Sequence, residues 1–334
     1  MMIDLAFIWA FLIAFAVLAY VILDGFDLGV GILYPWMENE AHRDQAMNTV
    51  APIWDGNETW LVLGGGGLFA VFPLAYAIIM PALYAPIIAM LICLIFRGVA
   101  FEFRWKTLRW KPVWNWSFAL GSIGATVAQG ITLGALIQGI QVDNRAYAGG
   151  WWDWLTPFSL LTAVALTIGY ALLGATWLVM KTDGWVRDRA HTIAWVTAVG
   201  TLVMIGLISL WTPFLNPVFM ERWFAMPAII FVAPVPILVL AAAFALFTGL
   251  AQHRDRLPFF AALALFILCF IGLGISFYPH IVPPSVTIWD AAAPDSSLAF
   301  LLVGALPLLI LILGYTSWSY WIFRGKIREG EGYH

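Results

Sequence analysis

Asp24-Gly25-Phe26-Asp27-Leu28-Gly29 lies inside an apolar run that begins near residue 5. Trp54-Asp55-Gly56-Asn57-Glu58-Thr59-Trp60 heads the next apolar run, and these two stretches decide how the chain is read. An ionised aspartate costs roughly 2.5–3.5 kcal/mol at the centre of a membrane helix on insertion scales, and less near the interface. Two acids in one helix and two in the next therefore need a reason. Asp24 and Asp27 are three apart and share a helix face, as do Asp55 and Glu58. Gly25 and Gly29 form a small-xxx-small pair that admits a second helix at close range. The pattern predicts that the first two helices meet around a buried acidic cluster, and that the cluster handles protons.

Composition sets the environment. The 334 residues are 63% hydrophobic and 10% charged, with mean hydropathy +0.90, whereas soluble domains are about a quarter charged. This is an all-α polytopic membrane protein. With about 20 residues per crossing, nine transmembrane helices are expected, near 5–34, 51–73, 76–100, 116–138, 156–180, 190–211, 224–250, 258–278 and 299–323. The second and third are separated by a tight turn at Phe72-Pro73-Leu74-Ala75-Tyr76, and Gly64-Gly65-Gly66-Gly67 permits close packing or local unwinding. The start Met1-Met2-Ile3-Asp4 has no basic leader region, so the first segment reads as a retained helix. No soluble domain, linker or low-complexity segment interrupts residues 1–334.

All of the 16 basic residues but Arg145 and Arg222 fall on alternate loops or helix ends, from Arg43 to Arg328. The positive-inside rule then puts the C-terminus in the cytoplasm and the N-terminus outside. The tryptophans near predicted helix ends, such as Trp151, Trp152, Trp318 and Trp321, read as an aromatic belt. A net charge of −3 without a basic stripe excludes nucleic acid as a partner. Cys93 and Cys269 sit in apolar runs and imply no disulfide framework.

On this topology Asp24, Asp27, Asp55, Glu58 and Glu102 share one depth near the cytoplasm, with Arg97 and Arg104 as charge partners. Buried carboxylates that hold and pass protons form a relay. The competing structural reading makes the same acids helix caps or ion-pair partners of Arg97. A third reading is a proton-coupled secondary transporter, which acids in helix one and a glycine run in helix two would also suit. The five histidines (His42, His191, His253, His280 and His334) fall in loops or at helix ends, where no bis-histidine haem site is expected. No catalytic residue, metal site, P-loop or dinucleotide fingerprint is found in this chain.

Four segments together resemble subunit II of the cytochrome bd-type quinol oxidases. They are Asp24-Gly25-Phe26-Asp27-Leu28-Gly29-Val30-Gly31, Pro52-Ile53-Trp54-Asp55-Gly56-Asn57-Glu58-Thr59-Trp60-Leu61, Phe96-Arg97-Gly98-Val99-Ala100-Phe101-Glu102 and Pro283-Pro284-Ser285-Val286-Thr287-Ile288-Trp289-Asp290-Ala291. In its short length the chain resembles the compact, cyanide-insensitive members. The resemblance implies a haem-free subunit of a bacterial inner-membrane terminal oxidase that oxidises quinol and reduces dioxygen to water. It implies a partner subunit I carrying b-type haems with a d-type or b-type oxygen-reactive haem, and a small single-helix subunit. It implies two four-helix bundles, about 1–138 and 156–278, plus a peripheral helix at 299–323. It places Asp55 and Glu102 on a cytoplasmic proton path, with Asp24 and Asp27 as motif acids beside it. Where many relatives carry Asp, this chain has Glu102. Other members carry Gln at the position of Glu58, which argues against an obligatory relay there. Trp60 corresponds to the mouth of an oxygen channel in some members. A structural quinone or a lipid fills subunit II in others.

Overall fold

Helix caps and prolines divide the apolar sequence. In the computed structural model, residues 4–107, 109–227, 229–328 and Gly330 are described. Asp4 caps α1 (Leu5–Leu33), its carboxylate accepting from the Phe7 amide at 2.9 Å. Asn39 caps α2 (Glu40–Asn48), a short polar helix. There follow α3 (Trp54–Val71), α4 (Pro73–Ala82), α5 (Tyr84–Phe103) and α6 (Lys111–Gln138). A hairpin of β1 (Val142–Asp143) and β2 (Ala146–Tyr147) leads to α7 (Pro157–Lys181) and α8 (Trp185–Trp211). Next come α9 (Pro217–Phe224), α10 (Ile229–Val232), α11 (Pro234–Ala251) and α12 (Leu257–Phe277). A second hairpin, β3 (His280–Val282) with β4 (Val286–Thr287), precedes α13 (Ile288–Ala291) and the long α14 (Asp295–Ile322).

Among the described residues, eight helices are long and apolar enough to cross a membrane. The helix α3 is not among them, because Asp55, Asn57 and Glu58 dilute its first turns. It nonetheless runs antiparallel to α1, from Asn57 beside Asp27, past Trp60 against Phe15, to Val71 in one cluster with Ala6 and Trp9. The glycine run stays helical. Gly64 and Gly67 face Val17 and Ile13 of α1, while Gly65 and Gly66 face open space.

Two boundaries differ from the sequence reading. The expected third helix, 76–100, is two helices broken at Leu83. Pro86 lacks the amide that would bond back to the Ala82 carbonyl, and it is accommodated in the first turn of a new helix. The expected tight turn at 72–76 is a change of direction at Phe72, after which α4 packs against β2, β3 and α13 at the end of the bundle where α1 starts. At the opposite end, α2 replaces an expected loop.

The tightest crossing joins α1 to α7. A methyl on Gly174 would lie 2.5 Å from the Val30 nitrogen, and Gly29 faces the Tyr170 carbonyl and Gly174. Backbone faces backbone here, so neither side has a flexible group that can yield. The small-xxx-small pair of α1 thus serves the chain's second half. Similar contacts seat Gly121 of α6 against the Cys93 carbonyl of α5, and Gly130 of α6 against Ala163 of α7. The outward faces stay apolar and exposed, and only Leu298 is buried along α14. Trp151, Trp152, Trp318 and Trp321 are exposed near helix ends, as an aromatic belt requires.

Substituting Gly174→Ala is expected to destabilise the protein by about 1–3 kcal/mol or more through overpacking. Gly206→Ala, where an added methyl meets open space, should be neutral or slightly stabilising. Thermal unfolding of the two purified variants checks the contrast.

Candidate functional site: a buried carboxylate–guanidinium cluster

Three helices bring four charged side chains together. Arg97 of α5 is wholly buried; its Nη1 lies 2.6 Å from Glu58 Oε1 and 3.0 Å from Asp24 Oδ1, and its Nη2 lies 3.9 Å from Asp27 Oδ2. Asp24 and Asp27 side chains are 0% exposed, and that of Glu58 is 23% exposed. The guanidinium also lies over the Phe101 ring, with its carbon 5.6 Å from the centroid. Gly121 makes this placement feasible, because a methyl there would lie 3.0 Å from the Arg97 nitrogen. Three carboxylates around one guanidinium form an acid-rich site sealed from bulk solvent on most sides.

Neutral donors support the two aspartates from opposite directions. Asn57 Nδ2 donates to Asp27 Oδ2 at 2.7 Å, and the Tyr320 hydroxyl of α14 donates to Asn57 Oδ1 at 2.9 Å. On the other side Tyr20 stands one turn before Asp24, with its hydroxyl facing that carboxylate. Gln129 Nε2 donates to the Tyr20 oxygen at 2.7 Å, and the Tyr170 hydroxyl donates to Gln129 Oε1 at 3.0 Å. One arm runs from a tyrosine through an amide to Asp27, and the other from a tyrosine through an amide to Tyr20 beside Asp24. Arg97 Nε and Asp27 Oδ1 are buried without a hydrogen-bond partner among the described residues.

The remaining expected residues fall elsewhere. Asp55, one turn before Glu58, is exposed, and its charge acts on Glu58. Glu102 is also exposed and pairs with Lys106 at 3.4 Å, so the structure does not bring it into the cluster. Trp60 is 1% exposed and packs edge-on to Phe15, its indole nitrogen unpartnered; it is an interior residue of the α1–α3 seam.

Arg104 anchors a second, separate network. Its Nη2 lies 2.6 Å from Asp44 Oδ1 and 3.0 Å from Glu40 Oε2 of α2, and its Nε donates to Asn115 Oδ1 at 2.6 Å. Arg43 and Lys111 complete the pairing. Sequence reasoning missed this network because α2 is short and mostly polar. The one local sign was Asn39-Glu40, an N-cap followed by an acid in the first turn. Burial opposes ionisation of Glu40, but the hydrogen bond from Arg43 and the charges of Arg104 and Lys111 outweigh it and hold its carboxyl below the ordinary glutamate value.

Four of the five histidines are described. His191 and His253 stack face to face, with centroids 4.5 Å apart and planes 16° apart, so their nitrogens do not converge on one iron from opposite sides. His42 stacks on Trp185, and His280 lies in β3. His334 is outside the described residues. No group of three or more metal-ligating side chains occurs among the described residues.

A Glu40 carboxyl held below its ordinary value contributes stability that is complete above about pH 4.3. That contribution is lost as pH falls through the lower folded-state value. The unfolding midpoint of wild type should therefore drop in acid below about pH 4. Glu40→Gln should start lower at neutral pH and lose less on acidification, as thermal melts across pH check.

Comparison with known proteins places this arrangement. Residues 5–323 match the model of the family described as cytochrome bd terminal oxidase subunit II. The chain is 32% identical to cytochrome bd-I ubiquinol oxidase subunit 2 of Escherichia coli K12, with 98% of this chain and 96% of that protein covered. It is 29% identical to cytochrome bd ubiquinol oxidase subunit 2 of Bacillus subtilis, with 97% of each covered. In fold it is similar to a chain of the bd oxidase from Geobacillus thermodenitrificans, with a TM-score of 0.79, 96% of this chain and 99% of that chain covered, and 19% identity.

Proposed function

The chain belongs to the cytochrome bd terminal oxidase subunit II family, and from that premise we propose that it supplies the proton path and the scaffold of the complex. As a subunit of a quinol:oxygen oxidoreductase it works in a multi-pass, inner-membrane assembly with subunit I, on quinol and dioxygen. The haems belong to subunit I, b-type with a d-type or b-type oxygen-reactive haem, and this chain binds none; the stacked His191–His253 pair supports that assignment. A small single-helix subunit completes the complex.

One observation carries the proton role, and it is the gradient of burial along the acids. Asp55 is exposed, Glu58 is 23% exposed, and Asp24 and Asp27 are fully enclosed. Three carboxylates face one guanidinium, and an unbalanced charge in a dry site costs several kcal/mol per ion. Bound protons are the simplest balance, and groups that bind protons in exchange with a surface acid form a relay. Asp55 is its surface acid beside Glu58, and Glu102, on α5 and outside the cluster, is assigned as a second surface acid. Glu58, which looks dispensable on family grounds, joins the surface to the interior here. Trp60 lies on the same α1–α3 seam and is assigned to oxygen access.

The same reading makes α3 the ninth crossing, since it runs antiparallel to α1 from Asp27 to its first turns. Nine crossings with the basic residues at one end put the N-terminus in the periplasm and the C-terminus in the cytoplasm. The bundles are then α1, α3, α5 and α6, and α7, α8, α11 and α12, with α14 peripheral, all in one transmembrane domain. A quinone in this subunit would be structural. The transporter reading has no feature of its own left to explain.

In the complex assembled with subunit I, Asp55→Asn and Glu102→Gln should each lower oxygen uptake by about a hundredfold, the low end of what a positioned proton-transfer group contributes. Haem content should not change. Unchanged uptake in both variants would sink the relay. The buried acids are poorer probes, because breaking a buried pair itself costs about 3–5 kcal/mol.

A further inference from the structure

A cavity of about 590 Å³ opens among the C-terminal end of α7, the start of α12, the chain after α14 and the turn before α3. It lies at the basic end of the bundle, where three long apolar helices emerge. Its size is that of a small-molecule site. Trp177, Met180 and Phe260 give it apolar walls, and Lys181, Arg256 and Arg324 line its polar part.

These three cations have no carboxylate partner among the described residues. Lys181 is 5% exposed; its ammonium sits over the Trp177 ring at 5.4 Å and donates to the Phe323 carbonyl and, at 2.8 Å, to the Gly325 carbonyl. Among the described residues Arg324 donates to the Trp321 carbonyl of its own turn alone, and it lies over the Trp321 ring. Among the described residues, no side-chain hydrogen bond or ion pair engages Arg256. The carboxylate in the lining, Asp255, is already taken by Arg187 at 2.7 Å and Lys326 at 2.9 Å. A buried ammonium without a counter-charge is costly, and an anion in the cavity would relieve it.

We propose that this cavity is a binding site for an anionic phospholipid, with its phosphate among Lys181, Arg256 and Arg324 and its glycerol and upper acyl chain against Trp177, Met180 and Phe260. Basic pockets between transmembrane helices bind such head groups. A quinone ring carries no charge and would leave the cations unmet, and a soluble anion would leave the apolar wall unused. Tyr320 lines the same cavity while donating to Asn57. The lipid therefore braces the end of α14 next to the carboxylate cluster.

The test uses the complex with subunit I, purified and stripped of lipid by detergent washing. Thermal unfolding is followed against added dioleoylphosphatidylglycerol, dioleoylphosphatidylcholine or inorganic phosphate, and retained lipid is read by native mass spectrometry. Phosphatidylglycerol should raise the midpoint and phosphatidylcholine should not. The double variant Arg256→Gln/Arg324→Gln removes two exposed cations and should weaken the phosphatidylglycerol effect about thirtyfold in concentration. Lys181→Met should act in the same direction. Equal responses to the two lipids, an undiminished response in the double variant, or a full response to phosphate alone would each overturn the proposal. So would wild type that retains no anionic lipid in preference to zwitterionic lipid.

Discussion

Arg97 is the constraint on which the first half of the fold depends. A guanidinium with no exposed surface is tolerable only where carboxylates and an aromatic face surround it. Those partners come from α1, α3 and α5 itself, so these helices cannot slide without leaving a charge uncompensated. The glycines around the site follow from the same requirement. Gly121 lets α6 come against the backbone of α5 where Arg97 begins, and Gly98 leaves room for the Trp54 ring, which stacks on Phe101 with centroids 4.8 Å apart. The charged centre therefore dictates where side chains must be absent.

The second half attaches through shape and not through charge. Gly29 and Gly174 bring α1 and α7 together backbone to backbone, and the Phe26 ring stacks on Trp177 at 4.2 Å two turns before the end of α1. The hydroxyl of Tyr170 then reaches Gln129 across the α6–α7 contact. A site built in one half is thus steadied by residues of the other. The peripheral helix α14 does the same through Tyr320, although nearly all of its own surface faces outward.

What the sequence disclosed depended on whether the information was local. Asp24 and Asp27, three apart, share a face and meet the same arginine, as helix geometry requires. Arg97 and Glu102 are five apart, about 140° around the helix at 100° per residue. One faces the core, so the other faces outward, and grouping them by depth alone misplaced Glu102 relative to the cluster. Arg104 is seven on from Arg97, back on the same face but about 10 Å further along, where it meets α2 instead. The helix α2 was illegible because only Ala46 and Met47 of its nine residues enter the hydrophobic core; its acids are held by ion pairs from distant elements. Asn57, Gln129 and Tyr320 carried no signal, since an amide or a phenol becomes significant only through a partner that the fold supplies.

The two tyrosine–amide arms also constrain the direction of any proton traffic. A hydroxyl or a carboxyl can take a proton on one side and release one on the other. A primary amide that donates from nitrogen and accepts at oxygen cannot do so without passing through a disfavoured tautomer. Asn57 separates Tyr320 from Asp27, and Gln129 separates Tyr170 from Tyr20. Both arms thus hold the aspartates in place while insulating them from the cavity beside α14 and from the second half of the chain. The route left open is the one the carboxylates themselves make, from Asp55 through Glu58 to the pair at Arg97. On the proton-path reading, the neutral residues of the site hold the aspartates in place, and proton transfer falls to the carboxylates.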